Sequence, residues 1–393
     1  MLIMEPLAKA SIVSLCVTSA VVLYSGQRFQ TERPQPPMEL TFTRANGTID
    51  ELIDTLMEVA GEIHQPHLVR EMLITALKAG LESDYPADLK LLLTTMKEMR
   101  YTNKVFAPYR HRRKVTIFGS ARTPSTDPVY QSCVRFSREL ARRGYMIITG
   151  GGPGIMQAGN EGAGSENSFA INIRLPFEQT PNPIMSATTR LVTYKYFFNR
   201  KVAFVREAQA IAVFPGGFGT LDEAMEVFTL IQTGKTAPKP LVLIDDGTGF
   251  WETWLTFLKQ RLLGMSLISG EDFSLFTITS DVDEAISVIE TFYRNYHSLR
   301  FVRGKLIIRL NRELDQEEIH TIETEFPELY EPGSRIVTTP PLAEEQDEPD
   351  LLHLPRILMS FDHRHYGLLI ACLWRINSFP SGTKNLRTDK KNS

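Results

Sequence analysis

The sequence predicts an α/β protein: a Rossmann-like doubly wound parallel sheet, with an N-terminal helical layer and a small C-terminal α+β unit. Three observations predict it. From Lys114 the chain repeats strand, turn and helix patterns in "KVTIFGSAR", "YMIITGGGPGIMQAGNEGA", "FAINIRLP", "AIAVFPGGFGTLDEAMEVF" and "PLVLID". The strand segments are continuous apolar runs, as expected of strands covered by helices on both faces. Three of the runs end in glycine turns, and in such sheets the carboxyl ends of the strands are where ligands bind.

In chain order, residues 1–38 read as a leader. Residues 8–24 are apolar but carry four Ser/Thr residues, follow Glu5 and lack a clear A-x-A cleavage site, so a weak anchor or dispensable segment is expected. The proline-rich "TERPQPPMEL" closes it, and folding is expected to begin near Met38. Residues 39–113 show helical periodicity (Leu52, Leu56, Val59; Met72, Ala76, Leu81; Leu89, Leu92, Met96) and predict a helical layer. Residues 114–298 form the sheet domain, closing with helices near 251–263 and 282–296. Residues 299–378 predict a β-α-β-β-α unit from "KLIIRL", a helix over 315–326, "SRIVTT", "RILMSF" and a helix over 365–377. Its segment "AEEQDEPD" reads as a solvated loop, and Asp362, His363 and His365 as a polar turn without metal. Residues 379–393 read as a disordered tail.

The formal net charge of −3 gives no electrostatic footprint for nucleic acid. The one basic run, Arg110 to Lys114, reads as a solvated linker. Three scattered cysteines, Cys16, Cys133 and Cys372, fit a reducing, cytoplasmic compartment and offer no zinc spacing. No cofactor, metal or membrane association is expected.

The glycine turns are anion-binding turns of an unusual kind. "TGGGPGIM" is not G-x-G-x-x-G, and the strand that follows ends in Arg174 where a dinucleotide site needs an acid. "TGKT" at 233–236 follows a helix and has Thr229 in place of the first P-loop glycine. What remains is Gly119-Ser120, the turn containing Gly151, Gly152 and Gly154, and Gly216, Gly217, Gly219 and Thr220, enough backbone donors to hold one monophosphate. The segment "TYKYFFNRKVAFVREA" supplies Arg200 and Lys201 on a helix aimed at the same edge. On spacing alone Thr220 and Glu223 form a capping box, with Thr220 as N-cap. Met156, where a helix begins, reads as core, and Arg200 on its own as a solvated helix residue.

"GGGPGIM", "NRK" at 199–201 and "PGGFGTLDE" together resemble the signature of the Lonely Guy family, cytokinin riboside 5′-monophosphate phosphoribohydrolases long mislabelled lysine decarboxylases. The likeness spans about residues 114–296. It implies Arg200 and Glu223 as catalytic groups and Gly119, Ser120, Gly151, Gly152, Gly154, Met156, Lys201, Gly216, Gly217, Gly219 and Thr220 as the phosphate and substrate contacts. It also implies a homodimer or larger homo-oligomer. The G-L-M-G of shorter members is Gly154-Ile155-Met156-Gln157 here, which bears on base preference. No lysine stands in a recognisable pyridoxal-phosphate context. The expected activity is hydrolysis of a nucleoside 5′-monophosphate, a cytokinin nucleotide or AMP, to free base and ribose 5-phosphate. The alternative is a non-catalytic nucleotide or cofactor carrier, or a regulatory protein, on the same sheet.

Overall fold

The structure is a computed structural model that describes Phe42 and residues 46–175, 180–331 and 333–380. The leader, Met38 and the last thirteen residues lie outside these. Among the described residues no helix is long and apolar enough to cross a membrane. Backbone packing divides the chain after Leu91, where the sequence pattern places the boundary at 113.

The first unit holds α1 (Thr48–Ala60), α2 (Pro66–Glu82) and the start of α3 (Pro86–Phe106). Its core is small: Ile53 and Ile74, flanked by Ile49, Met57 and Leu73. Arg70 of α2 hydrogen-bonds the Asp50 carboxylate of α1. The helices are where periodicity puts them, but the face is not. Leu52, Leu56 and Val59 stand exposed, Val59 at 82%, as do Met72, Leu81 and Met96. Each helix carries two apolar stripes, and the sequence alone does not say which is inside.

The second unit runs from Leu92. Its strands are β1 (Lys114–Phe118), β2 (Met146–Thr149), β3 (Ser168–Ile173), β4 (Leu191–Tyr194), β5 (Ala210–Val213), β6 (Leu241–Ile244) and β7 (Thr277–Thr279). All pair in parallel, in the order β4-β3-β2-β1-β5-β6-β7. Helices α4 (Pro128–Arg142), α5 (Ile155–Ala163), α6 (Phe197–Glu207), α7 (Phe218–Gln232) and α8 (Phe250–Phe257) lie between them in the chain, and α9 (Val282–Phe292) follows β7. β1, β2, β3, β5 and β6 are buried along their whole length. Alternate residues feed two separate cores, Val115 and Ile117 on one face, Ile148 and Ile211 on the other. The doubly wound sheet is as predicted, with two strands more than the sequence discloses. β4 and β7 are edge strands that are only partly buried, so neither carries a continuous apolar run.

A second sheet, ordered β10-β11-β9-β8, follows. It comprises β8 (Tyr296–Val302), β9 (Lys305–Leu310), β10 (Val337–Thr338) and β11 (Arg356–Met359), with α10 (Gln316–Glu325) and α11 (Tyr366–Ser378). The sequence pattern puts the end of a helix and a boundary at β8; it is instead the hairpin partner of β9. This α+β part shares one continuous core with the parallel sheet, Leu306, Ile308, Ile357 and Leu373 joining Ile211 and Leu243. Asn377 fixes the join. Its Oδ1 accepts from Asn295 N (2.7 Å) and Tyr296 N (2.8 Å), and its Nδ2 donates to Phe292 O (2.6 Å) and Leu373 O (2.8 Å).

The segment "AEEQDEPD" is largely exposed but is tied to the fold by one buried carboxylate. Glu345 within it is 0% exposed. It accepts from Arg309 (2.8 and 2.9 Å) and pairs with Arg356 (2.7 Å), both arginines being at most 2% exposed. Burial alone would raise its carboxyl, but the Leu342 amide and the two arginines more than offset this and hold it below the ordinary range. A group with a depressed folded pKa stabilises the fold above its unfolded value and loses that contribution as pH falls. Glu345→Gln leaves two buried guanidinium groups short of a partner, so a loss of about 3–5 kcal/mol is expected at pH 7 by chemical denaturation, shrinking toward acid pH. Because the core is continuous, removing residues after Leu299 should lower the melting temperature of the parallel-sheet domain itself, with one cooperative transition seen in the intact chain.

Candidate active site

Between β4 and β5 the chain crosses back over the sheet, so β1 lies between β2 and β5. The loops leaving β1 and β5 therefore open away from each other at the carboxyl edge, which is where a crevice forms. Ser120 N donates to Pro215 O (3.1 Å) and Ile155 N to Ser120 O (3.0 Å), tying the three glycine turns together. The crevice they bound is a cavity of about 700 Å³.

The turn after β5 meets this cavity with backbone. α7 begins at Phe218 with Gly217 as N-cap and no side-chain cap. Thr220 thus sits at the third helical position and Glu223 at the sixth, so the capping box read from spacing is absent. The reason is Gly216: a Cβ there would fall 2.2 Å from Thr220 Oγ1, so this glycine lets the first helical turn wind down onto the preceding strand. The first amides of α7 have no intrahelical acceptor. Gly217 and Gly219 face open space, with nothing within 4 Å of where a Cβ would stand. Both line the cavity with Thr220.

The "GGGPGIM" turn behaves differently. Only Gly150 and Met156 line the cavity. Gly151, Gly152 and Gly154, expected to hold phosphate, are not in its lining. Gly151 N donates to Thr149 Oγ1 (3.0 Å), and the Gly151 and Gly152 carbonyls accept from Asn182 (2.7 and 3.2 Å). At Gly154, with φ of 65°, a Cβ would strike Ser120 O at 2.3 Å. These glycines pack loop against loop. Gly119 does the same against Ile155 while remaining at the cavity wall with Ser120.

The three residues "NRK" of α6 do three jobs. Asn199 donates to Glu98 Oε2 (2.7 Å) and Thr95 Oγ1 (3.2 Å), anchoring the helix to α3. Arg200 lines the cavity, its Nε on Ile171 O (2.8 Å) and its guanidinium 5.0 Å from the centre of the Phe204 ring. A Cβ on Gly150 would lie 2.4 Å from Arg200 Nη2, so that glycine clears the path for the guanidinium. Arg200 is thus no solvated surface residue. Lys201 does not line the cavity. Its Nζ bridges Asp222 (2.9 Å) and Glu226 (2.8 Å) on α7, holding the helix on either side of Glu223.

Glu223 lines the cavity, and its carboxylate has no hydrogen-bond or ion-pair partner among the described residues. Burial pushes its carboxyl up to about 7, with Lys201 and Arg200 pulling only partly the other way. Burial likewise lowers Arg200, against the pull of Glu223, though an arginine stays charged. A half-dry carboxylate and a half-dry guanidinium share a cavity with free helix-end amides. Sequence reasoning missed Phe118, Arg122, Phe197 and Phe218 in the lining. Phe218 is 94% exposed; its place as the variable residue of "PGGFGT" was the available signal.

Among the described residues no group of His, Cys, Asp or Glu is placed to hold a metal. No lysine lines the cavity, and Lys201 is kept protonated because its two carboxylate partners more than offset its burial. It therefore offers no free amine for a Schiff base.

The raised carboxyl has a stability signature. Folded Glu223 holds its proton more tightly than the unfolded chain, whose value is 4.5, so it is neutral to stability in acid and destabilising as pH rises to about 7. Glu223→Gln should raise the melting temperature by a few degrees near pH 8 and leave it unchanged near pH 5; a helix-capping role, which glutamine also fills, would give little change at either pH.

A family model described as possible lysine decarboxylase matches residues 154–289. Cytokinin riboside 5′-monophosphate phosphoribohydrolase LOG2 of Arabidopsis thaliana is 26% identical over 153 residues, 38% of this chain and 70% of that protein. The corresponding enzyme LOG of Oryza sativa subsp. japonica is 32% identical over 160 residues, 39% of this chain and 62% of its own length. Among solved structures, the molybdenum cofactor binding protein of the phototrophic bacterium Rippkaea orientalis is 18% identical, with a TM-score of 0.34 over 46% of this chain and 96% of that one. The motif residues gathered at one sheet edge lie within the stretch that these matches span, and over that stretch the chain is similar to the cytokinin riboside 5′-monophosphate phosphoribohydrolases.

Proposed function

We propose that this protein hydrolyses the N-glycosidic bond of a nucleoside 5′-monophosphate. Water adds at the anomeric carbon, the base leaves with a proton, and ribose 5-phosphate remains. The observation that carries the reading is the unpartnered Glu223 carboxylate, raised to about 7 in the cavity that also holds Arg200 and the free amides of α7.

The bond breaks through a ribosyl cation with oxocarbenium character, so a carboxylate at the anomeric carbon stabilises developing charge and orients the attacking water. It acts better when poorly solvated. The monophosphate sits on the amides of Gly217, Phe218, Gly219 and Thr220, where the macrodipole adds attraction. Arg200, held by Ile171 O, keeps Glu223 oriented and contributes to nucleotide binding through its planar fork. Ser120 and Gly119 close the opposite wall. Phe197 and Phe218 offer exposed rings on which a base can stack. No lysine is required, since the phosphate is gripped and no phosphoryl group moves.

The substrate is a cytokinin riboside monophosphate, as the relatives' names have it, or AMP, and a panel of monophosphates assayed for free base separates the two. Glu223→Gln should lower turnover by about two to four orders of magnitude while monophosphate binding persists. Near wild-type turnover in that variant would return the chain to a non-catalytic carrier. Wild-type kcat/KM should rise between about pH 6 and pH 8 as Glu223 ionises, with its midpoint at about 7. Gly219→Ala should raise stability by roughly 0.5–1 kcal/mol, as helix propensity dictates, yet increase KM by crowding the phosphate.

The homodimer implied by family likeness is proposed with α7 at its interface. An apolar groove lined by Met225, Phe228, Trp254, Leu258 and Leu262 runs beside that helix. Sedimentation at micromolar concentration should give at least twice the chain mass; a monomer would refute this.

A further inference from the structure

The run Arg110 to Lys114 is not a solvated linker. Lys114 Nζ donates to Tyr109 O (2.8 Å) and Arg112 O (2.9 Å), while Arg112 donates to Gly144 O (3.1 Å) and Asn167 Oδ1 (3.0 Å). Arg110 and Arg113 do something else. They line a second cleft of about 1050 Å³, together with Lys235 and Lys239. This cleft collects the residues just before β1, β5 and β6 and the start of β8, so it lies at the amino ends of β1 and β5, whose carboxyl ends carry the candidate active site.

Its charges are arranged for an anion. No carboxylate pairs with Arg110, Arg113 or Lys235 among the described residues. The Arg113 guanidinium lies 4.3 Å from the centre of the Tyr293 ring, which positions it without using its N–H groups. Lys239, 6% exposed, donates to Val205 O (2.6 Å) and Ala208 O (2.7 Å). It thereby covers the carbonyl end of α6, which would otherwise repel an anion. The facing wall holds Asp347, Glu348 and Asp350. The first two are already engaged, Asp347 by Arg300 (2.5 Å) and Glu348 by Arg309 (2.7 Å).

We propose that this cleft binds a small phosphorylated metabolite, its phosphate on Arg110, Arg113 and Lys235 and its hydroxyl or amino donors toward the acidic wall. Guanidinium groups suit phosphate because their N–H fork matches two of its oxygens. A nucleic acid strand fits less well, because its successive phosphates would pass the acidic side. The site is independent of whatever the catalytic cavity turns over. It is connected to that cavity, since β1 and β5 run from one to the other and α6 carries Arg200 near one end and Arg206, also in the cleft wall, near the other.

The test is calorimetric titration of inorganic pyrophosphate into the full-length protein at low salt, with two variants beside the parent. Gly217→Asp places a carboxylate in the α7 turn and blocks anion binding there; Arg110→Gln with Lys235→Gln neutralises two side chains that hold nothing in the fold. Binding should persist in Gly217→Asp and weaken at least about tenfold in the double variant at unchanged melting temperature. Loss of all binding in Gly217→Asp, or an unaltered isotherm in the double variant, overturns the proposal. Displacement of pyrophosphate by a single-stranded oligonucleotide at lower concentration than by ATP would overturn it in favour of nucleic acid.

Discussion

The reversal of the chain's travel across the sheet between β4 and β5 governs the arrangement of the rest. Had β5 paired beyond β4, the loops after β1 and β5 would lie far apart along the sheet. With β5 against β1, the Ser120 amide reaches Pro215 O and one crevice is created. The glycines in the neighbourhood are then explained by closeness: Gly119 to Ile155, Gly154 to Ser120, Gly216 to Thr220. These residues make three loops fit one space, which leaves Gly217 and Gly219 as the pair whose bareness faces the cavity.

Helix α6 is the second determinant. It must deliver a guanidinium to the cavity, and a free arginine would swing to solvent. Three contacts prevent this: the Asn199 anchor to Glu98, the Ile171 carbonyl on Arg200 Nε, and the Lys201 bridge to α7. The bridge also explains the state of Glu223. Lys201 is nearby and charged, but its ammonium is neutralised by Asp222 and Glu226, so the carboxylate between them feels burial more than attraction. A direct Lys201–Glu223 pair would have lowered the carboxyl and removed its capacity to take up a proton near neutrality.

Much of this is legible in the sequence, and the remainder is hidden for identifiable reasons. Continuous apolar runs disclose the five buried strands, because burial on both faces leaves little polar sequence to obscure them. β4, β7 and β8 are invisible because a partly exposed edge strand or hairpin has no such run. Arg200, Glu223 and the Gly216 to Thr220 turn are found by motif. The cap is misread since Thr-x-x-Glu spacing fits a helix starting at Thr220 as well as one starting at Phe218. Gly151, Gly152 and Gly154 fall outside the cavity lining, and a glycine needed for packing and one needed for a ligand look alike in sequence. In "AEEQDEPD", Glu345 owes its burial to Arg309 and Arg356, which the sequence pattern does not link to it.

The two edges of the parallel sheet face opposite electrostatic conditions. At the carboxyl edge helices begin, and their free amides present a favourable field to an anion without any lysine in the lining. At the amino edge helices end, and their carbonyls would repel one. There the chain places cations on the exposed oxygens: Lys239 on Val205 and Ala208, Lys114 on Tyr109 and Arg112, Arg112 on Gly144. Capping accounts for the buried lysines of that edge. It does not account for Arg110, Arg113 and Lys235, which cover no carbonyl and pair with no acid among the described residues. A surplus of positive charge that the fold does not consume, lining a cleft larger than the cavity at the carboxyl edge, is the feature of this molecule that its own stability leaves unexplained.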